Sequence, residues 1–218
     1  MPGAFVWSSI STGDAVRVLP DGCMDLLWDG CSLSIAGPDT HAQMFASAAC
    51  SVMTGLRFAP GYAPRVLGVP ADEFTYQRVA VEAIWSPARV EQVDDLIATS
   101  TAPGHALETV ALQFSGDADE STALVEHIAT LARDGCNSTT IAERVGLSTR
   151  QLQRRSTAAF GYGAKTLGRI LRMQHALDLV RHGARPADSA ARTGYADQSH
   201  LARDVKALTG VTVRDLTG

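Results

Sequence analysis

Arg150, Gln153 and Arg154 stand at i, i+3 and i+4, the spacing that brings side chains together on one helical face. About fifty residues later, Gln198, Ser199, His200, Arg203 and Lys206 form a second polar and basic set around the apolar pair Leu201 and Val205. Their chemistry is recognition. Guanidinium can grip guanine through O6 and N7, an amide can grip adenine through N6 and N7, and basic groups can meet phosphates. Ser148 and Thr149 open the first of these helices, where free backbone N–H groups can hold a phosphate. No nucleophile elbow, phosphate-binding loop, HExxH or dinucleotide fingerprint appears, so no catalytic residue and no cofactor are expected. Cys23, Cys31, Cys50 and Cys136 lack CxxC spacing, which argues against a metal site and for reduced thiols in a cytoplasmic chain.

Six helices would position the two polar sets. Leu124, Ile128 and Leu131 line a first helix ending near Gly135, and residues 140–145 form a short second one. Gly146 makes the turn, and Ser148 caps a third helix reaching about residue 159. Ala142 keeps the supporting helix close, while Leu147 and Leu152 anchor the reader. A long helix covers 164–182, with Ile170, Met173, Leu177 and Val180 inward and Gly183 as its stop. Pro186 opens a fifth helix with Ala190 and Ala191 as its packing residues. Gly194 turns the chain, Asp197 caps the sixth helix, and Leu216 closes a last short turn. A linker helix of about 18 residues spans roughly 27 Å. It could hold two readers near one DNA turn, about 34 Å, apart.

Charge supports this reading. Residues 1–120 carry 5 Lys+Arg against 15 Asp+Glu, whereas residues 121–218 carry 14 against 8, within a chain of net charge −4. The polyanion partner belongs with the basic half. No signal peptide is read at the start. The longest uncharged stretch, 40–56, is too rich in Ser, Thr, Gln and Ala for a membrane span.

The acidic half reads as strands and turns. Residues 23–28 form an apolar run, Asp29-Gly30 signals a hairpin, and 32–35 alternate after it. Val52, Thr54, Leu56 and Phe58 share one face of a further strand ending at Pro60-Gly61. Ser86-Pro87 starts a helix with Val90, Val93, Leu96 and Ile97 as its stripe, and 105–114 suits another. The expected fold class is α+β: a mostly β domain, barrel or sandwich-like, with appended helices (1–115), a small acidic linker (116–120) and an all-α domain with two helix-turn-helix units (121–218). Four residues in the first domain could serve an effector. Cys23 is a thiol sensor or a buried hydrophobe, and Trp28 and Phe58 could floor a pocket. Asp25 could recognise a cationic or hydroxylated ligand, or bond local backbone.

The C-terminal motifs closely resemble the AraC/XylS family of bacterial transcription regulators. They are Gly146-Leu147-Ser148, 150–155, Gly161-Tyr162-Gly163 with Lys165-Thr166-Leu167, Ala176-Leu177, and the run 194–201. The resemblance implies two helix-turn-helix units joined by a linker helix, both reading the major groove of double-stranded DNA. By matching position, Arg150, Gln153, Arg154, Ser199, His200 and Arg203 would be the base readers. It also implies a small-molecule effector, a homodimer, RNA polymerase as a protein partner, and no enzymatic activity. Members usually carry an aromatic residue where Ser156 stands, and a Pro where Ala164 and Val213 stand. The motifs 19–28, 36–40, 56–61 and 67–70 resemble a domain found ahead of such modules. Three alternatives stay open: an effector-independent DNA binder whose first domain only dimerises, a thiol-based sensor acting through Cys23, and an enzyme targeted to DNA.

Overall fold

In a computed structural model, residues 3–116 and 120–218 are described. The N-terminal strands assemble by one short hairpin and four longer-range pairings. Strand β3 (Met24–Trp28) pairs with β4 (Leu33–Ala36) across residues 29–32. The Asp29 carboxylate accepts the backbone N–H groups of Cys31 and Ser32, which fixes this turn. Those bonds hold the carboxyl below the usual range. Strand β6 (Val52–Phe58) lies on the other side of β3, and β1 (Ala4–Ile10) pairs with β6. With β7 (Arg78–Ala80), the antiparallel sheet runs β1-β6-β3-β4-β7. A separate ribbon pairs β2 (Val16–Val18) with β5 (Gln43–Phe45).

Alternation divides the sheet faces. Met24, Leu26, Leu56 and Phe58 join Leu33 and Ile35 in an apolar cluster closed by helices. These helices are α1 (Ala63–Leu67), α2 (Pro87–Thr99) and α3 (Pro103–Phe114). Ser86 caps α2 through the Arg89 N–H. On the opposite face, Trp7 lies flat on Gly55, where any Cβ would collide with the indole.

The C-terminal region is helical: α4 (Glu120–Arg133), α5 (Ser138–Arg144), α6 (Thr149–Phe160), α7 (Ala164–Arg181), α8 (Pro186–Arg192), α9 (Gln198–Thr209) and α10 (Val213–Thr217). It holds two apolar clusters. Ile128, Ile141, Leu152, Phe160 and Leu167 centre the first, and Met173, Leu177, Tyr195, Leu201 and Val205 the second. Each is a helix-turn-helix core, and α7 contributes to both. In α8, Ser189 and Ala190 are buried and Ala191 is exposed, so Ser189 replaces Ala191 as the second packing residue. Its hydroxyl donates to the Ala176 carbonyl of α7. Of the expected linker 116–120, residues 117–119 lie outside the described residues, and Glu120 already begins α4. Among the described residues, no helix is long and apolar enough to cross a membrane.

The two regions are in contact at several points. The Ala42 N–H donates to Leu208 O at 2.8 Å, and the Arg17 guanidinium to Thr209 O at 2.9 Å. Gln174 of α7 donates to Pro20 O at 2.7 Å. Leu19 packs against the second C-terminal cluster.

Candidate nucleic-acid interface

Helix α6 starts where the sequence demands it. The Ser148 hydroxyl accepts the Gln151 N–H, and the Gln151 side chain returns to the Ser148 N–H, a reciprocal capping box. Gly161 stops the helix with φ 80°. The inward face buries Leu152, Ser156, Ala159 and Phe160. Thr149, Arg150, Gln153 and Arg154 are exposed on the outer side. Arg150 and Arg154 have no intramolecular hydrogen-bond or ion-pair partner among the described residues. Gln153 donates to Thr157 Oγ1 at 3.2 Å, so its amide is partly engaged along the helix. The Ser148 hydroxyl is committed to the cap, which makes it a helix starter before it is a DNA contact.

The second reader is built alike. Asp197 caps α9 by accepting the His200 N–H at 2.6 Å. Leu201, Asp204, Val205 and Leu208 face inward; Gln198, Ser199, Arg203 and Lys206 face out. His200 is half-buried, edge-on to Tyr195, and its Nδ1 meets the Ala196 N–H, leaving Nε2 outward for a partner. The Lys206 ammonium donates to Gly210 O at 2.6 Å, so it closes the helix end.

Asp204 is the residue that sequence reasoning missed. It is 8% exposed inside a basic region. Its carboxylate accepts Arg169 Nε at 2.5 Å and the Tyr195 hydroxyl at 2.9 Å, with Arg172 at 3.8 Å. Arg172 also stacks over the Tyr195 ring at 4.3 Å. One acid thus ties α9 to α7 and to its own turn. Its place between Leu201 and Val205, on the inward side of an otherwise polar helix, was the available signal.

The four residues considered for an effector do not form one pocket. Trp28 and Phe58 belong to the helix-covered core, with Phe58 1% exposed. Asp25 points to the other face of β3. It accepts Arg57 in a two-point ion pair and Trp7 Nε1 at 2.8 Å, so it is a satisfied structural acid. Cys23 is half-buried, and burial together with the Asp21 charge pushes its thiol far up. A reactive thiol needs the opposite shift, so the thiol-sensor reading loses its physical basis. Among the described residues no group of three or more His, Cys, Asp or Glu could hold a metal ion.

A groove of about 410 Å³ lies where the regions meet. Its apolar wall includes Pro60, Pro64, Val125 and Ala159, and its polar groups include Arg65, Arg155 and Glu126. Arg65 rests on the Tyr62 ring at 5.1 Å and donates to Gly116 O. Arg155 is exposed and next in sequence to Arg154.

Comparison with known proteins agrees with this geometry. Residues 141–217 match the model of a helix-turn-helix domain. Residues 4–80 match that of a domain of unknown function (DUF6597). No curated protein matches the chain. Two solved structures of ToxT from Vibrio cholerae share the fold. The unsaturated fatty acid-bound wild type aligns with a TM-score of 0.51 at 12% identity, over 99% of this chain and 95% of that one. A second crystal form aligns with a TM-score of 0.50 at 11% identity, over 98% and 97%.

Proposed function

We propose that this chain, which carries a helix-turn-helix domain of the AraC type in a two-domain AraC fold, is a sequence-specific transcription regulator whose grip on DNA is set by a ligand at the domain boundary. The observation that carries the reading is the state of the two outer helix faces. Both helices are capped and anchored by apolar residues, yet Arg150 and Arg154 are exposed with no internal partner among the described residues. Arg150, Gln153 and Arg154 read one major-groove segment; Ser199, His200 and Arg203 read the next. The regulator works in the cytoplasm, as a homodimer on paired sites.

The boundary groove suits an amphipathic carboxylate. Its volume falls in the range of small-molecule sites, about 300–1,000 Å³. Two guanidiniums face an apolar wall, and Glu126 opposes a second negative charge. A solved protein of the same fold is described as bound to an unsaturated fatty acid. A ligand touching Arg155 presses on the helix that carries Arg150 and Arg154, which gives it differential contact with the two states of the reader.

The test is selection of genomic DNA fragments by the purified protein at about 50 and 200 mM salt, with and without a long-chain unsaturated carboxylate. A discrete motif with two segments, whose occupancy changes with the carboxylate and not with the matching alcohol, supports the reading. Diffuse binding under every condition refutes sequence-specific regulation. A motif indifferent to the carboxylate refutes only the ligand class.

A further inference from the structure

Tyr162, in the turn between α6 and α7, is 8% exposed, and its hydroxyl has no hydrogen-bond partner among the described residues. Buried polar groups are nearly always satisfied, so this one needs an explanation. The turn is pressed onto the N-terminal region. A Cβ on Gly161 would meet Pro38 Cγ at 2.5 Å, and Thr75 Oγ1 donates to Gly161 O at 3.4 Å. On its other flank, Gly22 lies against Leu167 and Leu171 of α7.

Between these contacts sits a group of acids. Asp21, Cys23, Asp39 and Tyr76 all act electrostatically on the Tyr162 hydroxyl. Asp21 pairs with Arg57 at 2.9 Å, and Arg57 is shared with Asp25. Asp39 is half-buried and has neither a cation nor a hydrogen-bond donor among the described residues. Asp21 and Asp25 thus share one guanidinium, whereas Asp39, which feels the Asp21 charge, has none. Among the described residues no other positive group relieves Asp39: Lys165 of α7 is exposed, Arg169 is turned to Asp204, and His41 is exposed with its ring on Thr40. Asp72 and Glu73, on the neighbouring 3₁₀ turn (Ala71–Phe74), are exposed as well. The cluster is not arranged for a metal ion.

We propose that the domain boundary is an acid-sensing latch, in which Asp39 takes up a proton from solvent when the regions dock around Tyr162 and returns it when they part. Burial and the nearby Asp21 charge push the Asp39 carboxyl up to about 6. A carboxyl raised in the docked state favours docking most at pH below its ordinary value near 4. That contribution is lost as the pH rises through about 6. The docking claim stands apart from the regulator reading; only its effect on DNA depends on that reading.

The experiment is hydrogen exchange of the full chain between pH 5 and 8, corrected for intrinsic rates, on peptides covering 71–77 and 157–163. The wild type should lose protection several-fold across pH 6. Asp39→Asn, neutral at every pH, should keep the acid-state protection throughout. An Asn variant that retains the wild-type pH response, or a wild type with none, overturns the latch. Should the variant fold poorly, carbon NMR of the wild-type Asp39 carboxyl decides. A midpoint near 6 supports the latch, and an ordinary midpoint near 4 overturns it.

Discussion

Replacing Asp204 by alanine should damage the second reader more than removing any one of its partners. The carboxylate side chain is 9% exposed, while Arg169 and Arg172 are 40% and 31% exposed. The arginines can recover water, so each ion pair is worth about 0–1 kcal/mol. The Tyr195 hydroxyl cannot. It loses a bond to a charged acceptor, about 1.5–3 kcal/mol, and is left buried. Together the loss is about 3–4 kcal/mol, less than the sum of its parts because the three partners share one acceptor. Asp204→Asn keeps the size and one acceptor, and should cost about half as much. Arg169→Ala should cost under about 1 kcal/mol. Urea unfolding followed by circular dichroism ranks the variants, and binding to a two-segment DNA site should show loss of the second segment first. An Asp204→Ala protein within about 0.5 kcal/mol of wild type, or an Asn variant as damaged as the Ala one, would refute the argument.

Other outcomes can be checked beside it. Ser156 is fully buried and its hydroxyl has no partner among the described residues, so Ser156→Ala should raise stability by about 1 kcal/mol and the melting temperature with it. Arg203→Ala should weaken binding to the cognate site by about 1–3 kcal/mol and relax specificity at one base; equal losses on cognate and scrambled DNA would make it a phosphate contact. Ser148→Ala should cost about 0.5–2 kcal/mol through loss of the α6 cap, visible as lower stability without DNA present. Arg17→Ala should speed amide exchange in the last turn of α9, because it removes a donor to Thr209 O; unchanged exchange there would show that the bond contributes nothing.

The helical half was legible because its signals are local. Ser148 with Gln151, Asp197 before α9, Pro186 at the start of α8 and the glycines at 161 and 210 each act within four residues of their effect. The β half was legible where strands meet through a short turn, as in β3 and β4. Strand β1 was not: its partner Val52–Phe58 lies more than forty residues away, and its outward residues Phe5 and Ile10 are exposed, blurring any alternation. The boundary groove and Asp39 were invisible for the same reason. Arg65 and Arg155 come to line one groove, and the Asp39 charge comes to act on Tyr162, only after both regions have folded. Asp25 misled because an acid between Met24 and Leu26 suggests a ligand, whereas Arg57 and Trp7, which satisfy it, come from other strands.

The last carbonyls of α9 are finished by donors from the other end of the chain, Ala42 N–H on Leu208 and the Arg17 guanidinium on Thr209. A fragment holding only the helical half would keep every side chain proposed to read DNA and still lack these two bonds, along with the Leu19 contact beneath them. Its second helix would fray from the end farthest from its cap. Grafting another sensor onto this module therefore requires more than joining two sequences. The incoming domain must present a strand ribbon at the same place, or the chimaera will read its first DNA segment and lose hold of the second.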